Sequence, residues 1–153
     1  INWQGSKNYK MDRHRSIPLN YFESLFNISG LEFINLQKGF GEEQIKNFKY
    51  KDKLYNFSSI VDTSQNSFED TLEIIRNLDL VITPDTAIAH LSSSLGIKTW
   101  IIISPYGLDW RWFLNKEETP WYKNTRLFRQ KKESNWSLVM DQVKEELIKE
   151  FYM

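Results

Sequence analysis

The feature that most constrains the fold is the alternation of short apolar segments with segments of helical spacing. Thr99–Ile103 is apolar along nearly its whole length, as strands inside parallel sheets are, and further strands are predicted at residues 31–36 and 79–83. Helical patterns lie between these strands at short connections. Units of this kind cross over right-handed and place helices on both faces of a sheet. The sequence therefore predicts an α/β fold with a Rossmann-like parallel sheet.

Four helices are predicted from apolar residues at helical spacing and from residues that typically begin or end helices. They lie at residues 18–27 (ended by Gly30), after a capping box of Ser67 and Asp70, at 85–95 (ended by Gly96) and at 136–151. The last helix is predicted to pack on the core through one apolar face. That face consists of Leu138, Val139, Val143, Leu147 and Ile148.

Two segments carry weaker signals. Residues 39–66 permit a short helix, a loop and one strand near residues 60–61, and the lysine-rich part at 46–53 is typical of solvated surface. Residues 105–129 contain two prolines and three tryptophans and are predicted to be an irregular loop. These tryptophans are expected to form an exposed rim if a partner domain normally covers them. They are Trp110, Trp112 and Trp121.

Composition argues against several classes of protein. Twenty Lys and Arg residues balance twenty Asp and Glu residues, so no net field favours nucleic acid as a partner. There is no cysteine for a thiolate zinc site, and no apolar run reaches the roughly 20 residues that span a bilayer, so we expect no membrane span and a cytoplasmic location. The chain opens at Ile1 with a strand already ending, so we expect residues 1–153 to be a single domain and a piece of a longer polypeptide.

Candidate ligand-binding residues follow the predicted strands. In open parallel sheets, ligands bind beyond the carboxyl ends of the strands. The residues placed there are Trp3, Gln4, Gln37, Lys38, Pro84, Asp85, Thr86 and Ala87. The predicted strand at residues 79–83 turns directly into a helix. The free N–H groups there, the Thr86 hydroxyl and the small Ala87 suit a diphosphate. His90 lies one turn later on the same face, and Asp85 either caps the helix or accepts hydrogen bonds from sugar hydroxyls.

A basic cluster follows the strand that is expected to end near Trp3, and Arg13 and Arg15 belong to this cluster. Because this loop is expected at the same sheet edge as Thr86, Arg15 is a candidate for bidentate contacts with phosphate oxygens, and Lys38 is a further cation there. A solvated basic loop and a simply capped helix explain the same residues without a ligand. Spacing alone leaves both interpretations open.

The segment from Asp85 to Leu91, Asp-Thr-Ala-Ile-Ala-His-Leu, resembles the Asp-Thr-(small)-x-x-His-Leu signature of the heptosyltransferase group of glycosyltransferases. Residues 12–18 are similar to the basic stretch before the first helix of that family's C-terminal domain, with Arg15 in place of a phosphate-contacting lysine. The segments 3–5, 36–39 and 109–112 resemble relatives that are fused behind tetratricopeptide repeats.

The resemblance implies the nucleotide-sugar-binding, C-terminal-type half of a GT-B fold, in a metal-independent inverting enzyme. It implies a nucleoside diphosphate sugar as substrate with no separate cofactor, and partners that comprise an N-terminal acceptor-binding domain and tetratricopeptide repeats. Catalytic residues are not assigned, because the general base of such enzymes comes largely from the other domain. Two alternatives stay open: a non-catalytic nucleotide-binding or interaction module of a larger repeat-containing protein, and a fragment of a GT-B-related sugar-nucleotide epimerase.

Overall fold

The computed structural model describes residues 1–63, 68–106, 109–131 and 135–152, and the fold belongs to the α/β class with largely parallel strands. Its α-helices are α1 (Asp12–Arg15), α2 (Glu69–Arg76), α3 (Ala87–Ser94) and α4 (Ser137–Tyr152). Its strands are β1 (Phe33–Ile34), β2 (Leu54–Tyr55), β3 (Val81–Pro84), β4 (Thr99–Ile103), β5 (Glu118–Thr119) and β6 (Tyr122–Arg129). Short 3-10 helices cover Leu19–Asn27, Glu42–Asn47, Lys51–Lys53 and Trp110–Trp112.

The strands form two sheets that residues 1–3 connect. β1 pairs in parallel with β2, and the second sheet has the order β3-β4-β6-β5, in which only the short edge strand β5 is antiparallel. Ile1 N donates to Ile34 O at 2.7 Å, and Leu36 N donates to Ile1 O at 2.9 Å. On the other side, Asn2 N donates to Ile82 O at 3.1 Å. Residues 1–3 therefore lie between β1 and β3, and the carboxyl ends of these strands meet at one edge.

Apolar residues of β4 point alternately to the two sides of the sheet. Trp100 and Ile102 belong to a core that also contains Val139 and Val143 of α4. Ile101 and Ile103 instead pack with Ala89 of α3 and with other residues of a second cluster. Because side chains alternate along a strand, an all-apolar strand indicates burial on both faces, and the structure confirms this for β4 with the predicted bounds.

The prediction of an irregular loop at residues 105–129 is wrong for its second half. β6 is the longest strand, and it lies beside β4. The pattern was missed because four polar or charged residues, at 123, 124, 126 and 129, interrupt it, whereas only Thr125, Leu127 and Phe128 are buried. A strand whose outer neighbour is the two-residue β5 stays partly open to water, so it does not need a continuous apolar sequence.

Other boundaries also differ from the predictions. Residues 60–61 form a turn instead of a strand, and the strand of this region is β2. The predicted helix at 18–27 is present as a 3-10 helix at Leu19–Asn27, and its four predicted apolar residues are buried. In α4, Leu138 is 58% exposed, because the buried face runs through Val139, Val143 and Leu147 instead. The lysines at 46–53 are exposed, as expected for solvated surface.

The start of α2 is capped by Asp62, which lies seven residues before the helix. Ser67, the first residue of the predicted capping box, lies outside the described residues. Asp62 Oδ1 accepts from Asp70 N at 2.9 Å, and Asp70 Oδ2 accepts from Asp62 N at 2.7 Å. The Asp62 carboxylate also accepts from the Thr71 hydroxyl. This reciprocal pair does the work of a capping box, with Asp62 as the residue that supplies the cap.

Candidate functional site

A cleft of about 600 Å³ lies at the carboxyl ends of β1, β3 and residues 1–3. Its wall is formed by segments that leave these strands and by the first turn of α3. The lining residues are Asn2, Gln4–Asn8, Arg15, Leu36–Lys38, Phe40, Asp62, Phe68, Thr71 and Thr86–Ile88. Six of the predicted site residues are therefore brought together: Gln4, Arg15, Gln37, Lys38, Thr86 and Ala87.

A buried hydrogen-bond network fixes the floor of the cleft, and its central residue is Asn2. Asn2 Nδ2 donates to Gln37 Oε1 at 2.7 Å, and Asn2 Oδ1 accepts from the hydroxyls of Thr83 and Thr86 at 3.0 Å each. Gln37 Oε1 also accepts from the backbone N–H of Gln4 at 2.9 Å. The network joins three neighbouring strand ends. Gln37 was predicted as a ligand contact, but its side chain is 4% exposed and holds the strands together.

The start of α3 presents backbone N–H groups to the cleft. The first N–H groups of a helix have no partner inside the helix. Thr86 is the N-cap residue, and its side chain makes no capping hydrogen bond, because its hydroxyl donates to Asn2. Ala87, the first helical residue, is exposed and lines the cleft. The predicted donation from the Thr86 hydroxyl to a phosphate is thus replaced by an internal bond, whereas the N–H groups at 87 and 88 stay open to an anion.

Arg15 is held in the cleft wall by its neighbours. Its Nε donates to Asp12 Oδ1 at 3.1 Å, and its Nη1 donates to the backbone oxygen of Asp85 at 2.7 Å. Tyr9 covers the guanidinium at 4.4 Å from the ring centroid. Gly5 leaves room for it, since a Cβ at that position would lie 2.5 Å from Arg15 Nη2. The guanidinium is therefore pre-oriented, and the Nη2 N–H groups remain for a ligand.

The lining side chains carry an excess of positive charge. Three of them are cationic, Lys7, Arg15 and Lys38, and one is a carboxylate, Asp62. Lys38 Nζ donates to the backbone oxygen of Asp62 at 2.8 Å and also to that of Val61. The Asp62 carboxylate accepts hydrogen bonds only from neutral donors at the start of α2, so it keeps its negative charge. Asp12 does not line the cleft, but it forms an ion pair with Arg15 at 3.1 Å. Lys7, Arg15 and Lys38 thus outnumber the two carboxylates, Asp62 and Asp12, and this positive balance favours an anion.

Five predicted site residues do not line this cleft. Trp3 is fully buried and donates its indole N–H to Gly41 O at 3.0 Å, so it is a core residue. Arg13 is exposed and donates to His14 Nε2 at 3.0 Å. Pro84 is buried as the last residue of β3. The backbone oxygen of Asp85 accepts from Arg15, but the Asp85 side chain lies away from the cleft, beside His90.

His90 faces a different set of residues from the one predicted. Its ring stacks on Trp112 with 5.0 Å between centroids, and its Nδ1 lies 3.1 Å from the hydroxyl of Tyr122. Its Nε2 lies 3.8 Å from Asp85 Oδ1. Helical side chains lean toward the N-terminus, as predicted, but the ring lies on the side of α3 that packs against β6. The imidazole is therefore a neighbour of the cleft wall and does not line it.

Of the three tryptophans expected at an exposed rim, two are exposed. Trp110 is 61% exposed and Trp121 is 53% exposed, and their rings meet edge-to-face at 5.0 Å. Trp112 is fully buried in the cluster with Ala89 and Leu127, so the expectation is wrong for it. The exposed pair lies on the segment that joins β4 to β6, outside the lining of the cleft.

Eleven of the seventeen lining residues were not among the predicted site residues, and they include Asn2, Phe40, Asp62 and Phe68. Asn2 gave a usable signal, because an amide beside Trp3 in a strand buried on both sides needs partners. Phe40 stands between two glycines, which is a sign of a shaped loop. Asp62 and Phe68 gave no signal in the sequence. They line the cleft only because the chain folds their segment against residues 2–8 and 36–40.

Within residues 1–63, 68–106, 109–131 and 135–152, no group of three or more His, Asp or Glu side chains is arranged to hold a metal ion. None of the helices in that same part of the chain has the length and apolar character for crossing a bilayer. Comparison with known proteins gave no match to a protein family, to a curated protein or to a solved structure.

Proposed function

We propose that the chain is the donor-binding half of a metal-independent inverting glycosyltransferase, the C-terminal-type half of a GT-B fold. In this proposal the cleft binds a nucleoside diphosphate sugar with its diphosphate at the start of α3. The observation that carries the proposal is the convergence of Arg15, whose Nη2 donors face the cleft, with an α3 N-terminus whose N-cap residue, Thr86, makes no side-chain capping bond.

The size and charge of the cleft fit such a ligand. Sites for small molecules have volumes of roughly 300 to 1,000 Å³, and the cleft of about 600 Å³ lies within that range. Lys7, Arg15 and Lys38 outnumber the carboxylates of Asp62 and Asp12, and this positive balance complements a diphosphate. The helix N-terminus adds a fixed positive dipole. Guanidinium groups suit phosphate oxygens because they donate two parallel hydrogen bonds.

In sugar transfer the same groups would stabilise the leaving diphosphate. Negative charge develops on its oxygens as the bond to the sugar breaks, and donors that are already oriented stabilise this charge without reorganising. Arg15 meets that condition, since Asp12 and the backbone of Asp85 hold it. The acceptor and its general base would come from a further domain, for which the exposed Trp110 and Trp121 are candidate contacts.

A specific observation also favours a second candidate, a nucleotide-binding module without catalysis. Asp62 is the only carboxylate among the described lining residues of the cleft, and its oxygens accept hydrogen bonds from Asp70, Thr71 and the Thr71 hydroxyl. It is therefore poorly placed to remove a proton from an acceptor hydroxyl. Both candidates predict binding of a nucleoside diphosphate, and they differ only in turnover by a longer protein that carries an acceptor-binding domain.

Calorimetric titration of the chain with ADP, UDP and GDP tests the shared part of the proposal. We expect saturable binding of at least one of them, unchanged when EDTA is present, and weaker binding of the corresponding monophosphate, because the second phosphate brings further contacts with Arg15 and α3. Circular dichroism confirms that the chain is folded in the same samples. A folded chain that binds none of the three would contradict the proposal.

A further inference from the structure

Two phenylalanines line the cleft and are partly exposed to solvent. Phe40 is 43% exposed and Phe68 is 39% exposed. Apolar surface predominates in the lining of this cleft, and apolar rings gain free energy when a ligand covers them.

The backbone around Phe40 is shaped by glycines and fixed by hydrogen bonds. Gly39 and Gly41 have φ angles of +75° and +95°, which residues with a Cβ rarely adopt. A Cβ on Gly41 would also lie 2.5 Å from Gln4 Oε1. Gln37 Nε2 donates to Phe40 O at 2.7 Å, so the buried network of the cleft floor extends to this loop. The position of Phe40 is therefore defined before any ligand arrives.

Phe68 has a strained backbone. Its φ of +72° is unfavourable for a large side chain, and glycine would adopt it without strain. The residue precedes α2, but Asp62 supplies the cap, so the ring is not needed for the helix start. A phenylalanine kept at an unfavourable φ, with its ring on a cleft, is a sign of a functional constraint.

We propose that Phe40 and Phe68 form an aromatic subsite that binds the base of the nucleotide by stacking. This inference rests on the proposed function, because it assumes that the diphosphate lies at Arg15 and α3. A planar base has two faces to cover, and every base stacks on an aromatic ring, so such a subsite supplies affinity with little choice among bases. Lys7 Nζ lies over one face of the Phe40 ring, 5.8 Å from its centroid, and places a cation at this subsite.

The test compares ligands with and without a base. Wild-type chain and the variants Phe40→Ala and Phe68→Gly are titrated with ADP, UDP, GDP and inorganic pyrophosphate. We expect each substitution to weaken binding of the preferred nucleoside diphosphate about 5- to 100-fold, the range for one stacked base, with pyrophosphate affinity unchanged. Phe151→Ala is the matched control, since that ring is 40% exposed and lies by the amino ends of the strands.

Stability separates a structural role from a binding role. Phe68→Gly relieves backbone strain, so its Tm is expected to stay close to that of wild type while nucleotide affinity falls. Unchanged nucleotide affinity in both variants would overturn the aromatic subsite and leave the proposed function intact. An equal fall for pyrophosphate and nucleotide would also overturn it, because the rings would then support the whole cleft. Wild-type chain that binds neither ligand would overturn the proposed function as well.

Discussion

Replacing Arg15 by alanine is expected to weaken binding of the preferred nucleoside diphosphate about 10- to 100-fold, as measured by calorimetry. Hydrogen bonds to charged groups contribute about 1.5 to 3 kcal/mol, and Arg15 is the cation that the surrounding structure orients toward the cleft. Arg15→Lys should restore only part of the affinity, because an ammonium group lacks the planar pair of donors.

Arg13→Ala is the matched control for this experiment. Arg13 lies two residues earlier on α1, is exposed and does not line the cleft, so its loss should leave affinity close to that of wild type. Gly5→Ala perturbs Arg15 without replacing it, because the new Cβ would overlap the guanidinium. This variant should also lower the affinity for the nucleoside diphosphate. Equal effects of the Arg13 and Arg15 substitutions would mean that general charge attracts the ligand, and the assigned role of Arg15 would then be wrong.

Asn2→Asp is expected to destabilise the fold by about 3 kcal/mol or more at pH 7, because it buries a charge and breaks the central network. The new oxygen would face Gln37 Oε1, which is 2.7 Å from Asn2 Nδ2. Rotating the Gln37 amide by 180° would not relieve this oxygen–oxygen repulsion, because Oε1 also accepts from the backbone N–H groups of Trp3 and Gln4. Urea unfolding monitored by tryptophan fluorescence measures the change in the free energy of unfolding.

The pH dependence of this variant gives a second, independent readout. Burial would raise the pKa of the new carboxyl above its value of about 3.9 in the unfolded chain. The destabilisation is then complete above the raised pKa and diminishes as the pH falls through it, because the protonated carboxyl donates to Gln37. Asn20→Asp, at an exposed position, should show neither effect. A loss of stability that does not depend on pH would show that Asn2 lacks the central place assigned to it.

Much of the fold was predictable because its central elements are buried on both sides. Such burial gives an apolar pattern as clear as that of Thr99–Ile103. The small residues at 87 and 89 and the helix-ending Gly96 were enough to predict where α3 lies. The strand Tyr122–Arg129 was not predictable in the same way. It lies next to the sheet edge, where charged side chains reach water, so its sequence does not differ from that of a polar loop.

The candidate site was predictable in its position and less so in the roles of its residues. Strand ends and one basic loop were enough to bring Arg15, Lys38 and Ala87 together. Which hydroxyls are free was not predictable, since the proton of Thr86 goes to Asn2, a residue 84 positions away in the chain. The direction in which His90 points also depends on a distant partner, Tyr122 of the unpredicted strand.

Backbone amide NMR shifts on adding the preferred nucleoside diphosphate test the central claim most directly, because they report where the anion binds. We expect the largest changes at the N–H groups of Ala87 and Ile88, smaller ones near Gly5, and loss of these changes in Arg15→Ala. Saturable changes centred instead on Leu31 and Leu80, at the amino ends of the strands, or no changes at millimolar ligand, would contradict it.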